Sequence, residues 1–80
     1  MTEQDLTTSL IGLAAKRFKK PAEALKGGDD FFQALGIDSM QAMELLTEIE
    51  EHFEIEVPDY ELQGVTTFAG LADVVKRRMP

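Results

Sequence analysis

The residues able to do chemistry gather in one stretch, Leu35-Gly36-Ile37-Asp38-Ser39-Met40. Gly36 breaks the turn before it, Asp38 is a good helix N-cap, and Gln41 stands three residues on, where a capping box places Glu or Gln. Ser39 is then the first residue of a helix. A serine that attacks a substrate needs a base within hydrogen-bond reach. The single histidine, His52, stands thirteen residues further along. At the helical rise of 1.5 Å per residue the two lie ~20 Å apart, so no dyad forms. The hydroxyl therefore reads as one that another enzyme modifies. A helix N-terminus can hold a free phosphate through its open N–H groups, but Asp38 caps this one and acids surround it. A covalent phosphoester is compatible, because the modifying enzyme supplies both the chemistry and the compensating charge.

Other chemistries lack their residues. The chain has no cysteine, which removes disulfides, zinc–thiolate sites and thiol nucleophiles. The calcium-loop, glycine-rich phosphate-loop and histidine–glutamate zinc patterns are absent. Asp29-Asp30 and Glu50-Glu51 offer loose attraction for divalent ions, and no specific metal site is expected. Eighty residues make a single domain, 1–80, with one modest core worth on the order of 3–5 kcal/mol net. That leaves little room for a walled active site. The expectation is a protein with no catalytic residues of its own.

Charge narrows the partners. The net charge is −7, and between Gly27 and Val75 there are 12 Asp or Glu and no Lys or Arg. Lys16, Arg17, Lys19, Lys20 and Lys26 precede this block, and Lys76, Arg77 and Arg78 follow it. Such a block repels phosphate backbones and anionic lipid, which disfavours nucleic acid and membrane surfaces. Proteins with basic patches fit it best; the plain alternative is an acidic surface that serves only solubility. No apolar run approaches the ~20 residues of a membrane span. Met1 to Asp5 lacks the basic start of a signal peptide. A cytoplasmic monomer is expected.

The elements that must position Ser39 follow from periodicity. Leu6, Leu10, Leu13 and Ala14, widened by Ile11 and Phe18, predict a first helix over residues 3–18, with Thr2 and Asp5 as a capping box. Residues 19–38 form a long connection that Phe31 and Leu35 should pin to the core, with a helical turn after Asp30. The second helix runs from Ser39 to about Phe53. At about 100° per residue, Ala42, Leu46, Ile49 and Phe53 share its inner side, flanked by Leu45. Glu44, Glu48 and Glu51 lie nearly opposite, and Met40 points toward them. Glu44 and Glu48 stand four apart, a like-charge spacing that costs a helix roughly 0.2–0.5 kcal/mol, so stability alone does not favour it. An exposed methionine beside a carboxylate row suits docking. Pro58 then breaks the chain, Asp59 caps a short helix to Leu62, and Thr66 or Thr67 caps a last helix carrying Phe68, Leu71, Ala72 and Val75. The fold class is all-α: a four-helix bundle of three main helices and one short one, with a long ordered loop between helices one and two.

These residues resemble the acyl carrier proteins. Phe31-Phe32-Gln33-Ala34-Leu35-Gly36-Ile37-Asp38-Ser39-Met40 is similar to the family's phosphopantetheine attachment signature. The likeness continues through Glu44-Leu45-Leu46, Glu50-Glu51-His52-Phe53, Ile55-Glu56-Val57-Pro58-Asp59 and Val65-Thr66-Thr67. It implies that Ser39, with Asp38 beside it, carries 4′-phosphopantetheine installed from coenzyme A by a phosphopantetheinyl transferase. The arm would hold acyl groups as thioesters for fatty-acid or polyketide-type synthases. The resemblance further implies that Asp38, Glu44, Glu48, Glu50 and Glu51 meet basic patches on partner enzymes. It implies an acyl pocket lined by Leu46, Ile55, Val57, Tyr60, Leu62 and Ala69. Met40 stands where primary-metabolism members usually carry leucine, and Gln41 where many carry an acid; both differences point toward a specialised carrier. An aminoacyl carrier, which can share the Asp-Ser-Met step, is one alternative. An acidic helical adaptor with no prosthetic group is the other.

The clustered carboxylates carry a consequence for stability. Thermal melts at neutral pH and low salt should show a lower midpoint than melts with added magnesium, and an unchanged midpoint would count against carboxylate repulsion as a weakness of this fold.

Overall fold

Thr2 opens the first helix as its spacing predicts. Its hydroxyl accepts the Asp5 N–H at 3.1 Å, and the Asp5 carboxylate accepts the Thr2 N–H at 3.4 Å. Helix α1 spans Glu3–Phe18 and buries Leu6, Leu10, Ala14 and Ala15, while Leu13 is only half-buried. It ends at Lys19, whose backbone is left-handed with φ 56°. This computed structural model describes residues 2–79; Met1, counted in the signal-peptide reading, and Pro80, the end of the expected domain, lie outside that range.

The long connection is ordered because its polar backbone finds partners and its apolar side chains find the core. After a 3₁₀ turn at Ala22–Ala24, Leu25 is buried. Helix α2, Phe31–Leu35, forms the turn expected after Asp30, whose carboxylate accepts the N–H groups of Phe32 at 2.8 Å and Gln33 at 3.2 Å. Phe31 and Leu35 are both buried, and the Phe31 ring lies 6.0 Å from that of Phe68. The Phe31 N–H donates to Thr66 O at 2.8 Å, and the Ala69 N–H donates to Gly27 O at 2.9 Å. A side chain at residue 27 would put its Cβ 3.0 Å from the Thr7 methyl, so glycine permits this approach. Gly36, with φ 66°, ends α2 in a conformation that costs other residues more.

Helix α3 covers Ser39–Phe53, and its inner face buries Leu45, Leu46 and Ile49. Leu45, expected only to flank that face, is as buried as Leu46, whereas Ala42 and Phe53 are half-buried. The next segment carries Ile55 and Val57 into the core. The Val57 N–H donates to the Glu50 carboxylate at 2.7 Å, which ties this segment back to the helix. Residues Asp59–Leu62 form a 3₁₀ turn, not an Asp59-capped helix: Pro58 holds the cap position with no side-chain bond, and Asp59 is the first residue inside. Glu61 fastens the turn to the chain's end through Arg78 Nε at 2.9 Å. Helix α4, Phe68–Arg78, is capped by Thr67, which accepts the Gly70 N–H at 3.0 Å. Phe68, Leu71, Ala72, Val74 and Val75 line its buried side. Helix α1 packs chiefly on α4 and secondarily on α3. Among the described residues no strand forms, only an isolated bridge between Asp30 and Thr67. No described helix is long and apolar enough to cross a membrane.

Glu50 is therefore a structural acid. Glu50→Ala leaves the Val57 N–H without its charged acceptor, and a partly buried donor left unpaired costs about 1–3 kcal/mol. Urea unfolding should show a lower midpoint with an unchanged slope, and Glu51→Ala should leave the midpoint nearly unmoved.

Candidate functional site

The site is built on the start of α3. Asp38 Oδ1 accepts the Gln41 N–H at 2.9 Å, and Gln41 Oε1 accepts the Asp38 N–H at 3.2 Å. This reciprocal pair makes Ser39 the first helical residue and leaves it exposed. Asp38 is also exposed, with its carboxylate committed to the cap. His52 lies in the last turn of α3, exposed and beside Phe53, so Ser39 gains no base from it. Among the described residues no cluster of His, Cys, Asp and Glu has metal-binding geometry. The helix start can present a hydroxyl; it has no machinery to activate one.

Met40 is 74% exposed and Met43 46%. They stand three residues apart and so share one flank of the helix. The sequence reading found Met40 and missed Met43, although the same spacing argument reaches it. Two large apolar side chains beside an exposed serine form a small greasy rim.

A cavity of about 230 Å³ runs inward from this rim. Its wall starts at exposed Ser39 and Met43, continues through Ala42, Phe32, Leu62 and Val65, and ends at buried Phe31, Leu45, Leu46 and Leu71. It is larger than the ~150 Å³ apolar cavity that accepts one benzene ring. Of the six expected pocket residues, Leu46 and Leu62 line it. The other four are elsewhere. Ile55 and Val57 are packed into the core beyond α3, Tyr60 is 68% exposed with its hydroxyl 3.3 Å from Arg78 Nη2, and Ala69 is exposed near Gly27. For Tyr60 the reason lies in the 59–62 turn, which turns Leu62 inward and Tyr60 outward. The aromatic part of the wall comes from α2, whose Phe31 is anchored from below by Phe68.

The acidic face is divided among three duties. Glu50 holds Val57. Glu44 and Glu48 are joined by Arg17, which reaches over from α1: Nη2 donates to Glu44 Oε2 at 3.1 Å and Nη1 to Glu48 Oε1 at 2.8 Å. The hydrogen bond to Glu48, then that to Glu44, holds the Arg17 guanidinium above its ordinary range. Glu51 is exposed and makes no ion pair among the described residues. Arg17 was not predicted from sequence, because no local pattern links it to residues 27 and 31 positions away.

Comparison with known proteins agrees with this geometry. Residues 8–75 match the family described as the phosphopantetheine attachment site. The backbone is similar to that of an acyl carrier protein from Enterococcus faecalis, with a TM-score of 0.72 over 95% of this chain and 98% of that one. Identity to it is 22%, so this likeness is one of fold.

The cavity has its own test. A benzene-sized apolar probe should shift the NMR methyl signals of Leu46 and Leu71. Ala42→Phe should weaken that binding by about tenfold or more, at an overpacking cost of about 1–3 kcal/mol. Ala69→Phe, outside the wall, should leave it intact. Equal binding to both variants would place the probe elsewhere.

Proposed function

The chain belongs to the phosphopantetheine-attachment family of carrier proteins and has the acyl carrier fold, and from that premise we propose that Ser39 is its attachment point and that its cargo is an acyl chain. The observation that carries this is the coincidence of an exposed hydroxyl, on the first residue of a capped helix, with the mouth of an apolar cavity. Members of this family carry intermediates rather than transform them. The group's terminal thiol holds the cargo as a thioester, which supplies the thiol that the cysteine-free chain lacks.

The residues of this chain fit that group. Ser39 would offer the oxygen that attacks the pantetheine-bearing phosphorus of coenzyme A: the new phosphoester forms as the pyrophosphate bond breaks, adenosine 3′,5′-bisphosphate leaves, and the serine proton goes to a base on the transferase, since none stands near it here. The Asp38–Gln41 cap holds the helix start rigid while the hydroxyl is engaged. The only other serine, Ser9, lies within α1 and is half-buried. Phe32, Ala42, Leu46 and Leu62 would shelter the first carbons of an acyl chain from water, and burying each methylene is worth about 0.8 kcal/mol. An apolar wall of this kind supports an acyl cargo over an aminoacyl one. Met40, Met43 and the acids of α3 supply a docking face for enzymes with basic patches: a phosphopantetheinyl transferase, and acyl-transfer or synthase enzymes of fatty-acid or polyketide type. A cytoplasmic monomer suits such shuttling, and the Met40 and Gln41 departures favour a specialised pathway.

Incubation with coenzyme A and a broad-specificity phosphopantetheinyl transferase should add one phosphopantetheine, read by intact mass and mapped to the peptide holding Ser39. Ser39→Ala should take none. An unmodified parent chain would instead leave the acidic adaptor as the better description, and modification that survives Ser39→Ala would move the attachment point.

A further inference from the structure

The docking face just proposed is not a free row of carboxylates. Glu44 and Glu48 stand one helical turn apart, and the Arg17 fork spans them with one nitrogen on each, at 3.1 and 2.8 Å. The three side chains are 32%, 53% and 34% exposed for Arg17, Glu44 and Glu48, so the contact lies where a partner would touch. Supply of charge does not explain the choice of Arg17. Lys16, Lys19 and Lys20 are exposed on the same end of α1 and make no ion pair among the described residues. What singles out Arg17 is its position, facing α3 with a planar fork that can serve two carboxylates together.

We infer that Arg17 is a specificity-determining residue, an internal cation that any partner must displace or bypass to use Glu44 and Glu48. The inference rests on the docking role of α3 proposed above. Its consequence is a selection among basic partners. A lysine on a partner is a point charge and meets two carboxylates already bridged by a better-matched group. An arginine presents the same planar fork and can exchange for Arg17. A partner with neither must rely on Glu51 and the Met40–Met43 rim. Because the bridge is solvent-exposed, it is weak enough to be exchanged and amounts to a few-fold bias, not a block. It also fades as salt screens all exposed pairs.

The test compares the parent, Arg17→Gln, Lys16→Gln and the Glu44→Gln/Glu48→Gln pair as substrates of a phosphopantetheinyl transferase, at low and high ionic strength. Arg17→Gln should raise kcat/KM roughly two- to fivefold at low salt, the range that exposed pairs cover. The gain should reside in KM, vanish at high salt and disappear in the Glu44→Gln/Glu48→Gln background. Lys16→Gln removes the same charge without the contact and should change the rate less. A gain shared equally by Lys16→Gln, or one persisting without the two glutamates, overturns the inference, as does no gain at all. Arg17→Lys keeps the charge and loses the fork, and should give an intermediate gain even if Arg17→Gln folds poorly. A second arm needs no prosthetic group: a hexa-arginine peptide titrated by NMR should bind Arg17→Gln two- to fivefold more tightly than the parent, with the largest shifts at Glu44 and Glu48. Failure of the parent to accept phosphopantetheine sinks the attachment reading alone, and equal peptide affinities sink the role of Arg17.

Discussion

The reciprocal bonds between Asp38 and Gln41 decide where α3 begins, and the rest of the site depends on that point. Each residue added to a helix turns it by about 100°. Starting α3 one residue earlier or later would rotate Ser39, Met40 and the glutamates away from their present flanks. Leu45, Leu46 and Ile49 would swing with them and leave the core. The cap and the core therefore select the same register. That agreement lets one exposed hydroxyl be held rigidly without being buried.

Carboxylates on α3 look alike in sequence and do unlike work. Asp38 begins the helix, Glu50 anchors the segment that follows it, and Glu44 and Glu48 share a guanidinium from α1. The like-charge spacing of Glu44 and Glu48 would weaken an isolated helix. Arg17 relieves that strain and joins two helices at once. Glu51 is left facing solvent. The run of 12 acids between Gly27 and Val75 thus overstates how much negative charge a partner meets at this face.

What could be read from the sequence was local. Thr2 with Asp5, Asp30 with α2, Asp38 with Gln41 and Thr67 with Gly70 are all bonds across two or three residues, and each leaves a pattern in the chain. The helices followed from these caps and from the apolar period. What the sequence left out has a common cause in distance along the chain. Arg17 finds its partners across the bundle, and the 3₁₀ turn at 59–62 is fastened by the Glu61–Arg78 bond, so the outward facing of Tyr60 could not be placed by period alone. The acceptor role of Glu50 was not legible locally, because it depends on where Val57 returns. The cavity wall joins residues 31 to 71, and no single stretch encodes it.

The position of the cavity follows from the size of the chain. A sealed void costs about 24 cal/mol per Å³, so 230 Å³ closed inside the core would cost on the order of 5 kcal/mol. That is as much as a domain of this length has to lose. An open cavity beside Ser39 avoids most of this cost, because its mouth opens to the surface and its outer wall belongs to exposed side chains. The same geometry places Ser39 at the mouth of the cavity. On the attachment reading proposed for Ser39, an apolar cargo would be sheltered where the chain also presents that residue, at the surface and next to the helix start. The proposed attachment, shelter and docking roles crowd onto α3 for that reason, and Arg17, reaching in from α1, bridges Glu44 and Glu48 from outside.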